Sequence, residues 1–590
     1  MLDLSTSAGS LPVTNGSYSV SETPLGTTRH LRIVTIGAGA SGINMIRTLR
    51  ENLTDYEHIV YEKNSSIGGT WYENRYPGCK CDIPAHNYQF SWRHNPSWST
   101  FFAGAQEIEK YLCTICEEEN FGPSIKTLHH VKHASWDGEK GTWELQVQNL
   151  ETGDVFSDYA HFLLDATGIL NHWKWPQIDG IHNFKGDLIH SANWPKDLQY
   201  SGKRVAVLGN GSSGVQIVPA YRKVPYNLKI SFKTLTKCFE DVKELIHCIR
   251  SPLWVVPPQQ QMLLSSEAAE LLGKIEMKGD EYTPAQIEKF QTDPEYYLQF
   301  VKTIEEEINS KFPVLLKDSQ LAKYAMQMLS QYMKATLGGD ERLSKALIPT
   351  FPVGCRRLTP APGYLESLTQ KNVRVVTESI VKVVPTGLEL STGEVIEVDA
   401  IVCATGFDVS FCPRFPIIGN NAQNLQDLWK NNLPRAYMSS SVPGYPNYFT
   451  FLGPNAPIGH GSVFTITEHV AKYIVNIIRK CQTENIKSLA PSEAALDDYY
   501  EHLEAFMPRT AWAGTCRSWF KDGRETGPVT AVHPGSRIHW FHMLEQFRGE
   551  DFVYTYEKKN RFAYLGNGFS TKELGDGDKT WYLGALKAKE

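Results

Sequence analysis

The chain has 590 residues, 41% of them apolar and 21% charged, with a formal net charge of -6. That length favours several domains and an ample core, and the mildly acidic balance gives no electrostatic reason to expect a nucleic-acid partner. No apolar run reaches the roughly 18 residues of a spanning helix, so a cytoplasmic protein without a transmembrane segment is expected. The 11 cysteines are an odd number spread thinly, so a disulfide framework is not expected and a reducing compartment fits.

The first 29 residues begin with a stretch rich in Ser, Gly and Thr, Met1–Thr28. They lack a basic start followed by an apolar block and read as a disordered tail, not a secretory signal. Then comes an apolar strand, Leu31–Ile36, and at once the loop IGAGASG at Ile36–Gly42. Helical spacing over Ile43–Leu49 and a second strand, His58–Tyr61, lead to Glu62. Strand, glycine turn, helix, strand and acid, with the acid about 20 residues after the last glycine, is the dinucleotide pattern. Gly37 allows the tight turn, Gly39 lets a pyrophosphate approach, and Gly42 lets the helix pack on the strand. Glu62 accepts from a ribose diol and repels a 2′-phosphate, which suits FAD or NAD better than NADP.

A second unit repeats this logic. Arg204–Leu208 is a strand, Gly209, Gly211 and Gly214 form the turn in LGNGSSG, and Val215–Ala220 begins a helix. The residue ending the following strand has two candidates. By distance it lies in SFKT at Ser231–Thr234; by local pattern the run Leu245–Ile249 feeds into Arg250. Both put a cation where the first unit has Glu62, which favours the 2′-phosphate of NADPH. Val224–Asp241 reads as an insertion between helix and strand, or as an artefact of gene prediction such as a retained intron.

Gln259–Lys345 is rich in Glu, Lys, Gln, Leu and Met at helical spacing, as in Tyr296–Ile308 and Leu321–Ala335. Strand-like runs return at Asn372–Val384 and Glu394–Cys403, before ATGFD at Ala404–Asp408. A sister ATG stands at Ala166–Gly168. The expected fold class is α/β, with two nested Rossmann-like dinucleotide-binding domains. The first would comprise 30–178 and 406–590. The second, 179–405, would carry a helical insertion at 259–345.

Cys113 and Cys116 form a CxxC, and Cys79 and Cys81 a CxC, but neither is joined by a second pair at zinc-site spacing. His86, His94, His129 and His130 likewise lack partners at ligand spacing, so no metal site is expected.

Between the two glycine loops lies FKGDLIHSANWPKD, Phe184–Asp197, with Phe184, Gly186, His190, Trp194 and Pro195. It resembles the fingerprint of type I Baeyer–Villiger monooxygenases. With it, in family order, stand IGAGASG, GGTWYENRYPGCKCD at Gly68–Asp82, LGNGSSG, PVGCRR at Pro352–Arg357 and GTCRSWFKDG at Gly514–Gly523. The resemblance covers nearly the whole chain after Arg32 and looks closest to the fungal-type members. It implies FAD in the first unit and NADPH in the second. Electrons pass from NADPH to FAD, O2 is activated, and one oxygen atom is inserted beside the carbonyl of a ketone substrate, giving an ester or lactone.

By that resemblance Arg357 is the catalytic arginine and Asp82 orients it. Arg356 stands where the family often has a lysine near the NADPH phosphate, and Arg250 with Ser251 takes the 2′-phosphate. Trp519 lies on a loop that closes over the nicotinamide, and His190 has a conformational role. Ser41, Thr70, Trp71, Ile83, Tyr88 and Val131 fall with Gly37, Gly39, Gly42, Glu62 and Asp82 among the FAD contacts. Ser212, Ser213 and Gln216 fall with Gly209, Gly211 and Gly214 among those to NADPH. Trp194–Pro195 favours Baeyer–Villiger chemistry over relatives that oxidise nitrogen or sulfur. Those relatives, and a cofactor-binding protein without oxygenase activity, are the alternatives. The sequence sets neither the ketone nor the oligomeric state, and the aromatic content favours a bulky apolar substrate of fungal secondary metabolism.

Overall fold

The computed structural model describes residues 18–196, 198–221, 242–257 and 265–583. The segment read as an insertion, Val224–Asp241, and the SFKT alternative for the second cation lie outside them, as do residues 1–17 of the tail. Two five-stranded parallel sheets organise the molecule. The first has the order Tyr448–Thr450, Phe162–Asp165, Leu31–Ile36, Tyr56–Tyr61, Ile125–Lys126. The second has Val373–Val376, Glu244–Cys248, Arg204–Leu208, Ala400–Cys403, Asp187–His190. Both central strands are near-continuous apolar runs because a parallel sheet is covered on both faces: Leu31, Ile33 and Val34 are fully buried, as are Val205 and Val207.

Each sheet carries a smaller antiparallel layer. His129–Asp137, Thr142–Asn149 and Val155–Ala160 accompany the first, with Ile417–Ile418 added parallel to His129–Asp137, and Ile380–Val384, Gly387–Leu390 and Val395–Glu397 accompany the second. The helix after the first glycine loop, Ala40–Asn52, packs Met45 and Leu49 against Ile466, Val470, Ile474 and Ile477 of the long helix Val463–Thr483. The apolar spacing of that long helix puts one face on the core.

The helical stretch forms as its spacing predicts, with Pro294–Ser310 and Gln320–Thr336 its longest members. Side chains of Ser265, Thr283, Asp293, Ser319 and Asp340 each accept a backbone N–H at a helix start, which satisfies donors that have no partner within the helix. Its two long helices serve different cores. Tyr297, Phe300 and Ile304 join Phe90 and Phe101 on the first unit's side, whereas Leu329 and Met333 join Val205 and Val215 of the second.

Two expectations need correction. Part of the expected tail is ordered: Leu25 donates to Phe569 O and Thr571 donates to Leu25 O, at 2.7 and 2.9 Å, while Arg29 bonds Ile486 O. Backbone pairing with a segment over 500 residues away leaves no trace in local composition. Second, although no framework of disulfides was expected, Cys355 and Cys516 are bonded, 161 residues apart in sequence. Cys113 and Cys116 lie on the helix Ala105–Glu118, one half-buried and one buried. Among the described residues no helix is long and apolar enough to cross a membrane.

Candidate active site

Gly37 has φ 104° and Gly209 φ 103°, a left-handed conformation that side chains rarely adopt. A Cβ on Gly42 would lie 2.0 Å from Gly37 O, and one on Gly214 2.0 Å from Gly209 O, so each helix start rests on its own turn. Gly39 faces only the backbone of Gly69, and a Cβ on Gly211 would meet nothing within 4 Å. These positions are the open cradles that a pyrophosphate needs at a helix N-terminus.

Glu62 is 4% exposed, and its carboxylate accepts from Ala38 N and Asn64 N, both at 2.8 Å. Burial raises its pKa, against the lowering effect of those two N–H groups. Each oxygen retains a lone pair for a ribose diol. Ser41 is buried on the loop helix, Thr70 is exposed beside Gly69, and Trp71 meets Tyr88 edge-on at 5.5 Å. Ile83 and Tyr88 are buried just after Asp82. The Val131 side chain is 1% exposed and packs among Val34, Ile36 and Tyr61.

In the second unit, Glu244–Cys248 pairs with the central strand and leads directly to Arg250. Arg356 donates to Ser251 Oγ at 3.2 Å and Pro252 O at 2.8 Å, while Asn210 donates to Ser251 O at 2.9 Å. The structure thus brings Arg356 to the adjacent pair Arg250–Ser251, 105 residues before it, at one strand end. Burial and then the neighbouring Arg250 lower the pKa of Arg356, and no carboxylate among the described residues acts on it. Desolvated like charges without a counter-ion fit a phosphate. Ser212 bonds Thr359 at 2.8 Å, and Ser213 lies beside Tyr76. Gln216 also links the two units. Its amide accepts from Tyr76 OH at 2.8 Å and donates to Lys80 O at 3.0 Å, bridging the second glycine helix to the Gly68–Asp82 block of the first unit.

Arg357 and Asp82, 275 residues apart, meet in a bidentate pair. Nε donates to one carboxylate oxygen at 2.5 Å and Nη2 to the other at 2.7 Å, and Nη1 donates to Ile458 O at 2.7 Å. Burial alone would lower the arginine's pKa, but attraction to Asp82 and the hydrogen bonds to it outweigh that and raise it, so the guanidinium is charged at any working pH. Of its five N–H groups one remains on each terminal nitrogen. The turn that supplies Ile458 also places His460 beside this cation, with neither ring nitrogen bonded among the described residues. Burial, then the Arg357 charge, push its pKa down to about 4. Sequence reasoning missed Ile458 and His460, because a carbonyl and a single histidine in a glycine-rich turn carry no pattern.

Trp519 is half-buried against Phe520 on a short turn of the loop Gly514–Gly523. Lys521, fully buried, donates to Gly514 O at 2.5 Å and Glu525 O at 2.7 Å and so ties the base of this loop. His190 stands elsewhere: 1% exposed, stacked on Trp173 at 4.5 Å, accepting from Ala192 N and bonded to Thr405 of the second ATG turn at 3.3 Å. Burial pushes its pKa down to about 4, so it is a neutral ring at the crossing between the sheets.

The residues present therefore fit two dinucleotides, one facing an acid and one facing cations. Comparison with known proteins agrees. The family model described as an NAD(P)-binding Rossmann-like domain matches residues 35–105. The chain is 36% identical over 567 residues to the FAD-binding monooxygenase tazF of Aspergillus terreus, covering 95% of this chain and 96% of the relative. It is 30% identical over 512 residues to a Baeyer–Villiger monooxygenase of Streptomyces coelicolor, covering 86% and 89%. The fold matches the closed crystal structure of cyclohexanone monooxygenase with a TM-score of 0.72 at 23% identity, over 90% of this chain and all of that one. With its paired glycine cradles and the Arg357–Asp82 pair, the chain belongs to the FAD-binding monooxygenases of the Baeyer–Villiger type.

Proposed function

We propose that this protein uses NADPH, FAD and O2 to insert one oxygen atom beside the carbonyl of a ketone, giving an ester or lactone, and that Arg357 is the catalytic residue. FAD held at Gly37–Gly42 and Glu62 would supply O2 activation, with electrons from NADPH held at Gly209–Gly214, Arg250, Ser251 and Arg356. The observation that carries the reading is the buried guanidinium of Arg357, fixed by Asp82 on one edge and Ile458 O on another. Oxygen attack on a ketone develops negative charge on oxygen, and a preoriented cation in a water-poor site stabilises that charge most. Asp82 is a positioning residue: it holds the fork in plane through two charge-assisted bonds.

The loop carrying Trp519 excludes water from the nicotinamide side. His190 serves as a neutral joint between the sheets, consistent with its partners Trp173 and Thr405. The division into a discontinuous FAD domain, 30–178 with 406–590, and an NADPH domain, 179–405, belongs to the same reading, as does a cytoplasmic location. Similar chains occur in fungi, which fits a ketone of secondary metabolism.

A panel of cyclic, aryl and steroid-like ketones offered with NADPH, read by mass for the added oxygen, tests the reading. Arg357→Ala should lower ester formation by roughly 10²–10³-fold, while NADPH still bleaches the flavin. A variant that makes product at the parent rate removes Arg357 from its role. Oxidation of sulfides or amines with no ester from any ketone replaces the reading with heteroatom chemistry.

A further inference from the structure

The disulfide joins two segments in which the next residue is an arginine. Cys355 precedes Arg356 and Cys516 precedes Arg517, and the bonded cysteines have Cα atoms 6.4 Å apart. Arg356 reaches Ser251 and Pro252, which places the strand end carrying Arg250 against the same spot. Arg517 is near enough to Arg250 to disfavour its charge, and Arg250 does the same to Arg356. Among the described residues no carboxylate acts on Arg250 or Arg356, and the hydrogen bond of Arg517 goes to its own loop, at Gly523 O. Three guanidiniums held together without an anion repel one another. A dianionic phosphate between them reverses that sign.

The loop is built to keep Arg517 there. Its base is closed by the buried Lys521 on Gly514 O and Glu525 O, and Cys516 is 3% exposed and Cys355 fully buried. The chain from Asp522 to Pro528 is exposed beyond that base. Without the bond between the cysteines, the joint between the Arg356 segment and the Arg517 loop would lose its covalent tie.

We propose that the Cys355–Cys516 disulfide positions Arg517 as a third guanidinium of the 2′-phosphate site, so that NADPH recognition depends on the oxidation state of this pair. The inference rests on the reading above that Arg250, Ser251 and Arg356 hold the phosphate. Reduction takes two electrons and two protons from a dithiol: the sulfur–sulfur bond breaks, both cysteines become thiols, and the dithiol closes to its own disulfide. A cytoplasmic dithiol would thus loosen the grip on NADPH. Linkage makes the effect reciprocal: bound NADP+ must protect the disulfide by the factor by which the disulfide tightens NADP+.

The test uses the full-length, FAD-loaded protein, with NADP+ and NAD+ titrated calorimetrically. Arg517→Gln should weaken NADP+ about tenfold through loss of a charge-assisted contact and leave NAD+ within about twofold. The parent treated with dithiothreitol, and the Cys355→Ser/Cys516→Ser double variant, should move the same way, with the double variant no longer responding to the dithiol. NADP+, not NAD+, should slow reduction of the linked peptide, followed by mass under non-reducing conditions. Equal weakening of NADP+ and NAD+ by Arg517→Gln, or two free thiols in the oxidised protein, overturns the proposal. If Arg250→Gln and Arg356→Gln also leave NADP+ unchanged, the phosphate reading itself fails; if they weaken it and Arg517→Gln does not, only this inference does.

Discussion

The two nucleotide units are near copies in backbone and opposites in charge. Gly37 and Gly209 share φ within a degree, and a Cβ on either would lie 2.6 Å from the carbonyl of an ATG alanine, Ala166 or Ala404. At the end of the second strand, Glu62 stands in one unit and Arg250 in the other. The cradle is therefore a steric device common to any dinucleotide, whereas the choice of dinucleotide sits in a few charges at the strand end.

The strongest way to break the symmetry is to fill one cradle at a time. Gly42→Ala puts a methyl 2.0 Å from a backbone carbonyl, so the helix must shift and the protein should purify colourless. Gly214→Ala meets the same clash in the other unit and should remain yellow, yet not be reduced by NADPH. Absorbance at the flavin band, before and after NADPH, separates the two, and a yellow Gly42→Ala protein would sink the assignment. Exchanging the charge is next: Arg250→Glu should cut NADPH efficiency by roughly 10–100-fold while changing NADH far less, because repulsion replaces a charge-assisted contact. The ratio of the two kcat/KM values measures it, and an unchanged ratio would return Arg250 to the surface.

Smaller is the effect of the bridge between the units. Gln216→Leu leaves Tyr76 OH and Lys80 O without their partner, which should cost about 1–3 kcal/mol, read as a lower urea midpoint; a cofactor role alone would leave that midpoint unchanged in the apoprotein. The smallest effect comes with pH. His58 and His247 lie on equivalent second strands and are buried neutral, pushed down to about 3 and about 4 by desolvation. The unfolded chain binds their protons more readily, so this stability is complete above about pH 6.5 and falls as pH drops, by roughly 2 kcal/mol for each ring at about pH 5. His58→Leu should flatten that fall in urea titrations between about pH 6.5 and 4.5; an unchanged slope excludes the ring as its source.

Much of the fold is legible in the chain's local patterns. Strands at Leu31–Ile36 and Arg204–Leu208 and the long helices after Pro294 and Gln320 follow from apolar periodicity and their turn and capping residues. Arg250 can be placed at the strand end because the mainly apolar run Leu245–Ile249, with His247 its one polar member, feeds into it. Other features are hidden because they are contacts between distant segments. Gln216 lies in a glycine fingerprint yet spends its amide on Tyr76 and Lys80, and Val131 sits near a nucleotide unit yet faces its core.

By itself the sequence determined the two cradles, since positive φ and close backbone approach admit glycine and little else, and it determined the sign of charge at each strand end. Tertiary structure alone decided how those parts combine. It brought Asp82 to Arg357 across 275 residues and Cys355 to Cys516 across 161. It placed His460 beside the arginine with no bonded ring nitrogen among the described residues, and through the Cys355–Cys516 bond it tied the segment of Arg517 to that of Arg356. Local pattern reports steric and periodic demands within one element. Long-range pairing depends on which surfaces the cores bury against each other, and that information is spread over the whole chain.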